Sequence, residues 1–374
     1  MSAAVAALGG WVATELLDVT DDPAALDGSG WWAVSLPFDG DPVFARFARP
    51  RRAPGPASGR PSARRSGRLS AGPAGATPVA ARRAARWPGI NPGSWRTSLD
   101  QRAFEAGVDS IRATIARGGV YQVNLTRRLS APLPPGADPF VLAPALAGLL
   151  AERHPAPHAG HLVLPSHGVA VVSASPERFL RREGRTVLSE PIKGTAPDPP
   201  GSPDRPGAGA VGFGEKDRAE NVMIVDLVRN DLGRVCEPGS VTVPSLFRQE
   251  RQPGLVHLVS GVRGRLADSC GWPELLEATF PPGSVTGAPK LAACEQISEL
   301  EPVGRGPYCG ALGWVDADSG VGDLNVAIRT FWLAGGELHF GTGGGITWSS
   351  RATAEWEETV LKSRRLIEAV ARPW

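Results

Sequence analysis

From Trp95 onward, strand-like and helix-like segments follow one another without regular alternation, which argues against a doubly wound parallel sheet and for a large α+β domain. Leu99–Arg117 carries Phe104, Val108, Ile111 and Ile115 at helical spacing and stops at Gly118-Gly119. Val120–Leu129 alternates like a strand, and Pro139–Glu152 reads as a second amphipathic helix. His161–Ser175 and Phe179–Glu190 read as strands around a turn at SPER, followed by PIKGT at Pro191–Thr195. Glu215–Val235 has a broad apolar face of Val222, Ile224, Val225, Leu227, Val228 and Leu232, with Gly233 as its stop, and reads as a mostly buried helix. Strands are expected at Ser240–Arg251 and His257–Leu266, a helix at Pro273–Thr279, a loop PPGSVTGAPK and a helix at Lys290–Leu300. Strands at Tyr308–Val315, Asp323–Leu333 and Glu337–Gly341 then lead through a glycine loop, Gly343–Gly345, to a final helix at Thr353–Ala371.

The N-terminal part differs. Residues 1–47 read as a short β-rich segment, with a helix-like stretch over Ala3–Leu17 ahead of the strands GWWAVSLPF and PVFARF. Ala48–Arg86 consists almost wholly of Arg, Pro, Ala, Gly and Ser with no acidic residue, so it cannot build a core. A flexible linker is therefore expected over 48–94 and a catalytic domain over 95–374. The tract lacks the aromatic interleaving of a nucleic-acid surface, so no nucleic-acid partner is expected. No apolar run is long enough to cross a membrane, and the N-terminus is a poor signal peptide. Four cysteines without metal-site spacing fit a reduced, cytoplasmic protein.

Of 40 basic residues only Lys193, Lys216, Lys290 and Lys362 are lysine. In a chain that otherwise uses arginine, these four are the better candidates for places that want a compact or titratable ammonium. Asp217 and Glu220 share a face at the start of the 215–235 helix; they serve either a cation or the helix dipole. Glu355 and Glu358 repeat the pattern on the last helix, with Lys362 one turn on, and read either as a surface ion-pair ladder or as oxygen ligands for Mg²⁺. Gly343, Gly344 and Gly345 offer backbone N–H groups near a helix start, and Arg329 is a charge in an otherwise apolar strand that suits a carboxylate. His257 reads as either a core histidine or a catalyst, and Lys193 as either a turn residue or a nucleophile of lowered pKa.

YQVNLTRR, SPERF, PIKGT, EKDRAENVMIVDLVRNDLGRV, GLVHLVS, PPGSVTGAPK, YCGALGW, AIRTF, GTGGGI and AEWEETVLK together resemble the chorismate-utilising enzymes, in order and in spacing, over about Trp95–Arg372. The resemblance implies a sandwich of antiparallel sheets with outer helices and an active site in the central cleft. It implies Glu220 and Glu358 as direct Mg²⁺ ligands, with Asp217 and Glu355 holding the ion's waters. Arg329, Tyr308, Lys362 and the amides of Gly343–Gly345 would hold the substrate's carboxylates and ring, with Ser284, Thr286, Thr195 and Gln122 lining the site. His257 would stand near the departing C4 hydroxyl, and Glu177 would assist its departure. Water-using members usually carry a lysine where this chain has Gln122. Anthranilate-forming members usually have alanine where this chain has Lys193. The resemblance therefore points to the C4-aminating members, with Lys193 as nucleophile. Anthranilate synthesis is the alternative, and an inactive homologue or a nucleic-acid binder acting through the arginine tract is another. No glutaminase domain is recognisable, so ammonia would come from a separate glutamine amidotransferase subunit. Cys309 occupies a small-residue strand position of the family, and the pattern is departed from in an N-terminal third interrupted by Ala48–Arg86.

Overall fold

The computed structural model describes residues 3–53, 86–198, 211–252 and 255–374. Most of the arginine-rich tract, 54–85, lies outside the described residues. Its flanks are built into the molecule: Arg51–Arg52 forms a strand, and Trp87 is fully buried and donates to the Val370 carbonyl at 2.7 Å.

Among the described residues the strands form two ten-stranded sheets in which every pairing is antiparallel. The first runs Gly287–Ala288, Gln122–Pro132, Glu337–Ile346, Thr330–Ala334, Val169–Ser175, His158–Leu164, Val5–Leu8, Trp11–Ala13, Arg51–Arg52, with Arg96–Thr97 beside Gln122–Pro132. The second runs Ile192–Pro197, Leu255–Arg265, Thr186–Glu190, Arg178–Glu183, Val321–Val326, Ala311–Asp316, Trp31–Leu36, Val43–Ala48, Glu15–Thr20, with Thr242–Gln252 beside Leu255–Arg265. Side chains from both, such as Leu162, Val171 and Trp332 from one and Val34, Leu312 and Leu324 from the other, share one apolar core. The helices α1 (Gln101–Ala116), α2 (Pro139–Arg153), α3 (Glu215–Gly233), α4 (Trp272–Thr279), α5 (Lys290–Leu300) and α6 (Ala352–Ala371) lie outside. Four of them (α1, α2, α5, α6) cover the first sheet, and α3 lies on the second. This is the expected α+β sandwich.

Four local expectations are corrected. Ala3–Leu17 is not helical. Gly9 and Gly10 take φ of 57° and 79°, breaking the run, and the pieces on either side pair into both sheets. Tyr308–Gly310 is a turn before the strand Ala311–Asp316, with Cys309 at φ 65°. The single strand expected over Asp323–Leu333 is two, because the chain leaves one sheet at Val326 and enters the other at Thr330. Gly343–Gly345 is no loop; it is the end of the strand Glu337–Ile346, paired residue for residue with Asn124–Thr126.

The sheet-to-sheet crossing has a counterpart. Val169–Ser175 belongs to the first sheet and Arg178–Glu183 to the second, so Pro176-Glu177 crosses beside Ala327–Arg329. The two crossings are bonded to each other: Val326 N–H donates to the Glu177 carbonyl and Ala174 N–H to the Arg329 carbonyl, both at 3.0 Å. The sandwich thereby places one acid and one arginine side by side between its sheets. Among the described residues no helix is long and apolar enough to cross a membrane.

Candidate active site

Glu177 is buried, and its Oε1 accepts from the Ile192 N–H at 3.3 Å. Burial pushes its carboxyl up to about 7, against the opposing hydrogen bonds of Ser284 and Ile192 and the charges of Lys193 and Arg329. Arg329 sits at φ 50°, which a side chain adopts only under constraint, and burial lowers its guanidinium to about 10. The guanidinium donates to Gln252 Oε1 at 3.3 Å and to His257 Nε2 at 3.2 Å. Because arginine only donates, Nε2 is the acceptor, and Nδ1 carries the hydrogen it shares with Thr195 Oγ1 at 2.9 Å. His257 is thus a neutral imidazole, held down to about 4 by burial and by Arg329.

Lys193 lies on the strand Ile192–Pro197. The next residue, Gly194, has φ 96°, and a side chain there would press on Asp217, Phe213 and Leu258. That glycine lets the strand lie against the first turn of α3. Asn221, buried on α3, fixes the contact by donating to the carbonyls of Lys193 at 3.3 Å and Leu258 at 3.2 Å, while accepting from Ser260 at 2.5 Å. Burial lowers the Lys193 pKa against the pull of Glu220, and Lys362 adds to the lowering. A Cβ built on Gly345 would stand 2.5 Å from Gln122 Nε2 and 3.2 Å from Lys193 Nζ. Gln122 is fully buried, and neither polar atom of its carboxamide has a protein partner. An unpaired buried amide beside a lysine is a site that expects a polar guest.

On the other side of the glycine strand, α6 is tied down by Thr342 Oγ1 donating to the Thr359 carbonyl at 3.0 Å and by Arg127 donating to Thr359 Oγ1 at 2.9 Å. A Cβ on Gly344 would fall 3.4 Å from Glu355 Oε2, 3.9 Å from Lys362 Nζ and 4.0 Å from Glu358 Oε1. Lys362 bridges Glu358 at 2.6 Å and donates to the Gly343 carbonyl at 3.1 Å. Beyond Phe340 the glycine strand pairs on one edge only, so part of its backbone remains available to a guest. Across from α6, Lys216 Nζ stands 3.8 Å from Glu220 Oε1 and 3.9 Å from Glu355 Oε1. Burial raises Glu220, with Glu355 and Asp217 adding to the rise. Partial burial would also raise Glu358, but Lys362, with Lys216 and Lys193, overcomes it and holds this carboxyl below its usual range.

Among the described residues, no three candidate ligands stand close enough to grip a metal as the side chains now lie. The surroundings nonetheless fit a hard cation. Glu355 and Glu358 of α6 stand on the bare face of Gly344, and Lys216 links Glu355 to Glu220 at the start of α3, so the acidic groups gathered here carry oxygen donors alone. Asp217 contributes least, since its Oδ2 accepts from the Gly214 N–H at 3.1 Å and caps α3.

The remaining expected residues divide. Ser284 hydrogen-bonds Glu177, whereas Thr286 turns its hydroxyl to the Pro282 and Gly283 carbonyls of its own loop. Tyr308 lies apart: its ring is flat on Gly341, in a small cavity with Arg127, Glu301, Arg305 and Trp332. Asn221, Gln252 and Ser350 went unnoticed in the sequence, and Lys216 has no role there beyond its place among the four lysines. Asn221 left a trace, a polar residue on the apolar side of α3.

The family model described as chorismate binding enzyme matches residues 67–368. The chain belongs to this family. It is 44% identical over 279 residues to anthranilate synthase component 1 of Streptomyces coelicolor, covering 74% of this chain and 53% of that protein. It is 40% identical over 277 residues to aminodeoxychorismate synthase component 1 of Salmonella typhimurium, covering 73% and 59%. The chain thus matches less than two thirds of these relatives' length. Anthranilate synthase component I of Streptococcus pneumoniae superposes with a TM-score of 0.72 at 23% identity, over 98% of this chain and 90% of that one. The menaquinone-specific isochorismate synthase MenF of Escherichia coli does so with 0.75 at 16% identity, over 100% and 89%. The fold is therefore that of chorismate-utilising enzymes.

Proposed function

We propose that this protein is the chorismate-aminating component of an aminodeoxychorismate synthase, converting chorismate and ammonia to 4-amino-4-deoxychorismate, a precursor of 4-aminobenzoate in folate synthesis. The observation that carries this reading is Lys193: a partly buried lysine of lowered pKa, braced by Asn221 and set against Gln122, Gly345 and the carboxylates of α3 and α6. A lowered pKa supplies the neutral amine that a nucleophile needs.

In this reading Lys193 Nζ bonds to C2 of chorismate as the C4–O bond breaks. The neutral acid Glu177 gives its proton to the departing oxygen, which leaves as water. Ammonia then bonds to C4 as the C2–Nζ bond breaks, returning Lys193, and the new ammonium sheds one proton. Arg329, Lys362 and the backbone of Gly343–Gly345 hold the two carboxylates. Neutral His257, oriented by Thr195 and Arg329, meets the hydroxyl without adding a charge. Mg²⁺ is the proposed cofactor; Glu220 and Glu358 would ligate it directly, with Glu355 and Asp217 on its waters, and its charge neutralises the ring carboxylate. Ammonia comes from a separate glutamine amidotransferase subunit in the cytoplasm. The name component 1 on several relatives supports such a partner.

Anthranilate synthesis is the second reading, favoured by the 44% identity to the Streptomyces coelicolor protein. Product analysis separates the two: chorismate, Mg²⁺ and ammonium at mildly alkaline pH, with the products resolved by chromatography and identified by mass. A non-fluorescent amino product that a lyase turns into 4-aminobenzoate is the expected result. Direct release of fluorescent anthranilate would overturn it.

A further inference from the structure

Three of the four lysines meet at the site just described; Lys290 does not. It opens α5, with its side chain 14% exposed, bridging Asp231 on α3 at 2.8 Å and donating to the Thr279 carbonyl at 2.7 Å. Asp231 is itself buried, its side chain 7% exposed, two residues before the end of α3. Asp231 and Glu177 both line a cavity of about 10 Å³, with Arg178, Ser189, Ser284 and Thr279 among apolar neighbours. A void of this size with several polar walls is at the threshold that holds one water.

Glu177 needs such a route, and this need rests on the proposed amination. Its carboxyl is buried, with the Ile192 N–H and the Ser284 hydroxyl as partners and Lys193 and Arg329 as the facing charges. The cavity is lined by both Glu177 and Asp231, so a water in it can join the two carboxyls. We propose that one water in this cavity, together with Asp231 and Lys290, forms the path by which Glu177 regains its proton from solvent after each hydroxyl departure. The Lys290 ammonium passes a proton to Asp231, Asp231 to the water, and the water to the Glu177 carboxylate; Lys290 is then reprotonated from solvent. The product's surplus proton leaves through the cleft mouth, so the cycle balances. Burial raises the Asp231 pKa while Lys290 opposes it, which favours an acid able to hold the proton in passing. Asp231 and Lys290 are positioning and relay residues; neither touches the substrate.

The test is Asp231→Asn in the full chain, read by chorismate consumption with ammonium and Mg²⁺ at low buffer concentration. The turnover number should fall about tenfold or more, with an unchanged KM for chorismate and recovery when a small buffer acid such as imidazolium is added. Glu177→Gln should lose activity without such recovery. A wild-type rate in Asp231→Asn, or a loss that no buffer restores, would overturn the relay. A second measurement needs no turnover: infrared spectroscopy of the protonated Glu177 carboxyl, assigned by its absence in Glu177→Gln, after transfer to heavy water. Slower deuteration in Asp231→Asn is expected, and equal rates would overturn the relay. A wild-type chain that deuterates as expected yet leaves chorismate intact would sink the amination reading alone.

Discussion

Gly345→Ala is the substitution whose effect follows most directly from the coordinates. The added methyl would stand 2.5 Å from Gln122 Nε2 and 3.2 Å from Lys193 Nζ, where unstrained contacts need about 3.5 Å or more. The carboxamide cannot swing into solvent, because Gln122 is fully buried in the strand Gln122–Pro132. Either the strand yields, at an overpacking cost of about 1–3 kcal/mol, or Lys193 is displaced by roughly 1 Å, a misplacement that costs about 100-fold in rate. Denaturant unfolding reads the first cost and chorismate consumption the second. Gly344→Ala is the internal control, since its methyl would meet Glu355 Oε2 at 3.4 Å and Glu358 Oε1 at 4.0 Å, ordinary contacts on the carboxylate side. That variant should keep its stability and instead require more Mg²⁺ for half-maximal rate. A Gly345→Ala enzyme as stable as wild type and within about threefold of its rate would refute the claim that this packing fixes the lysine.

Further outcomes are expected elsewhere. Lys193→Ala should abolish formation of the 4-amino product while leaving the melting curve close to wild type, checked by chromatography and calorimetry; turnover at the wild-type rate would make the lysine structural. Glu358→Ala should remove the Mg²⁺ dependence together with the activity, and full activity in excess Mg²⁺ would dismiss it as a ligand. Glu177 titrates near 7 in the fold against 4.5 ordinarily, so the folded state holds its proton more tightly. Stability is unaffected below about pH 4.5 and declines as pH rises through 7, by up to about 3 kcal/mol at pH 8. Glu177→Gln should flatten that decline in denaturant unfolding, and an unchanged slope would contradict the burial.

Period and punctuation made helices legible: α1 and α3 lie close to where apolar spacing and a stop at glycine placed them. What spacing could not show was partnership between distant strands. Ala3–Leu17 looked helical because its apolar residues suit either period, and pairing with His158–Leu164 and Val43–Ala48 decided for strands. The crossing at Ala327–Arg329 was invisible for the same reason, since an arginine at positive φ carries no local signal. Site residues with a charge stood out in the sequence. Those acting through geometry, such as Asn221 bracing Lys193 or Ser350 donating to Glu355 at 2.6 Å, did not. Tyr308 shows the converse, a motif residue whose ring the fold turns onto Gly341.

The central claim is nucleophilic catalysis by Lys193, and intact-protein mass spectrometry tests it most directly. The chain is incubated with chorismate and Mg²⁺ in the absence of ammonia, quenched, and digested to locate any adduct. The account predicts a mass increase of one chorismate less one water on the peptide holding Lys193, absent from Lys193→Ala and discharged when ammonium is added. An unmodified chain that still converts chorismate to the amino product when ammonium is supplied would contradict it.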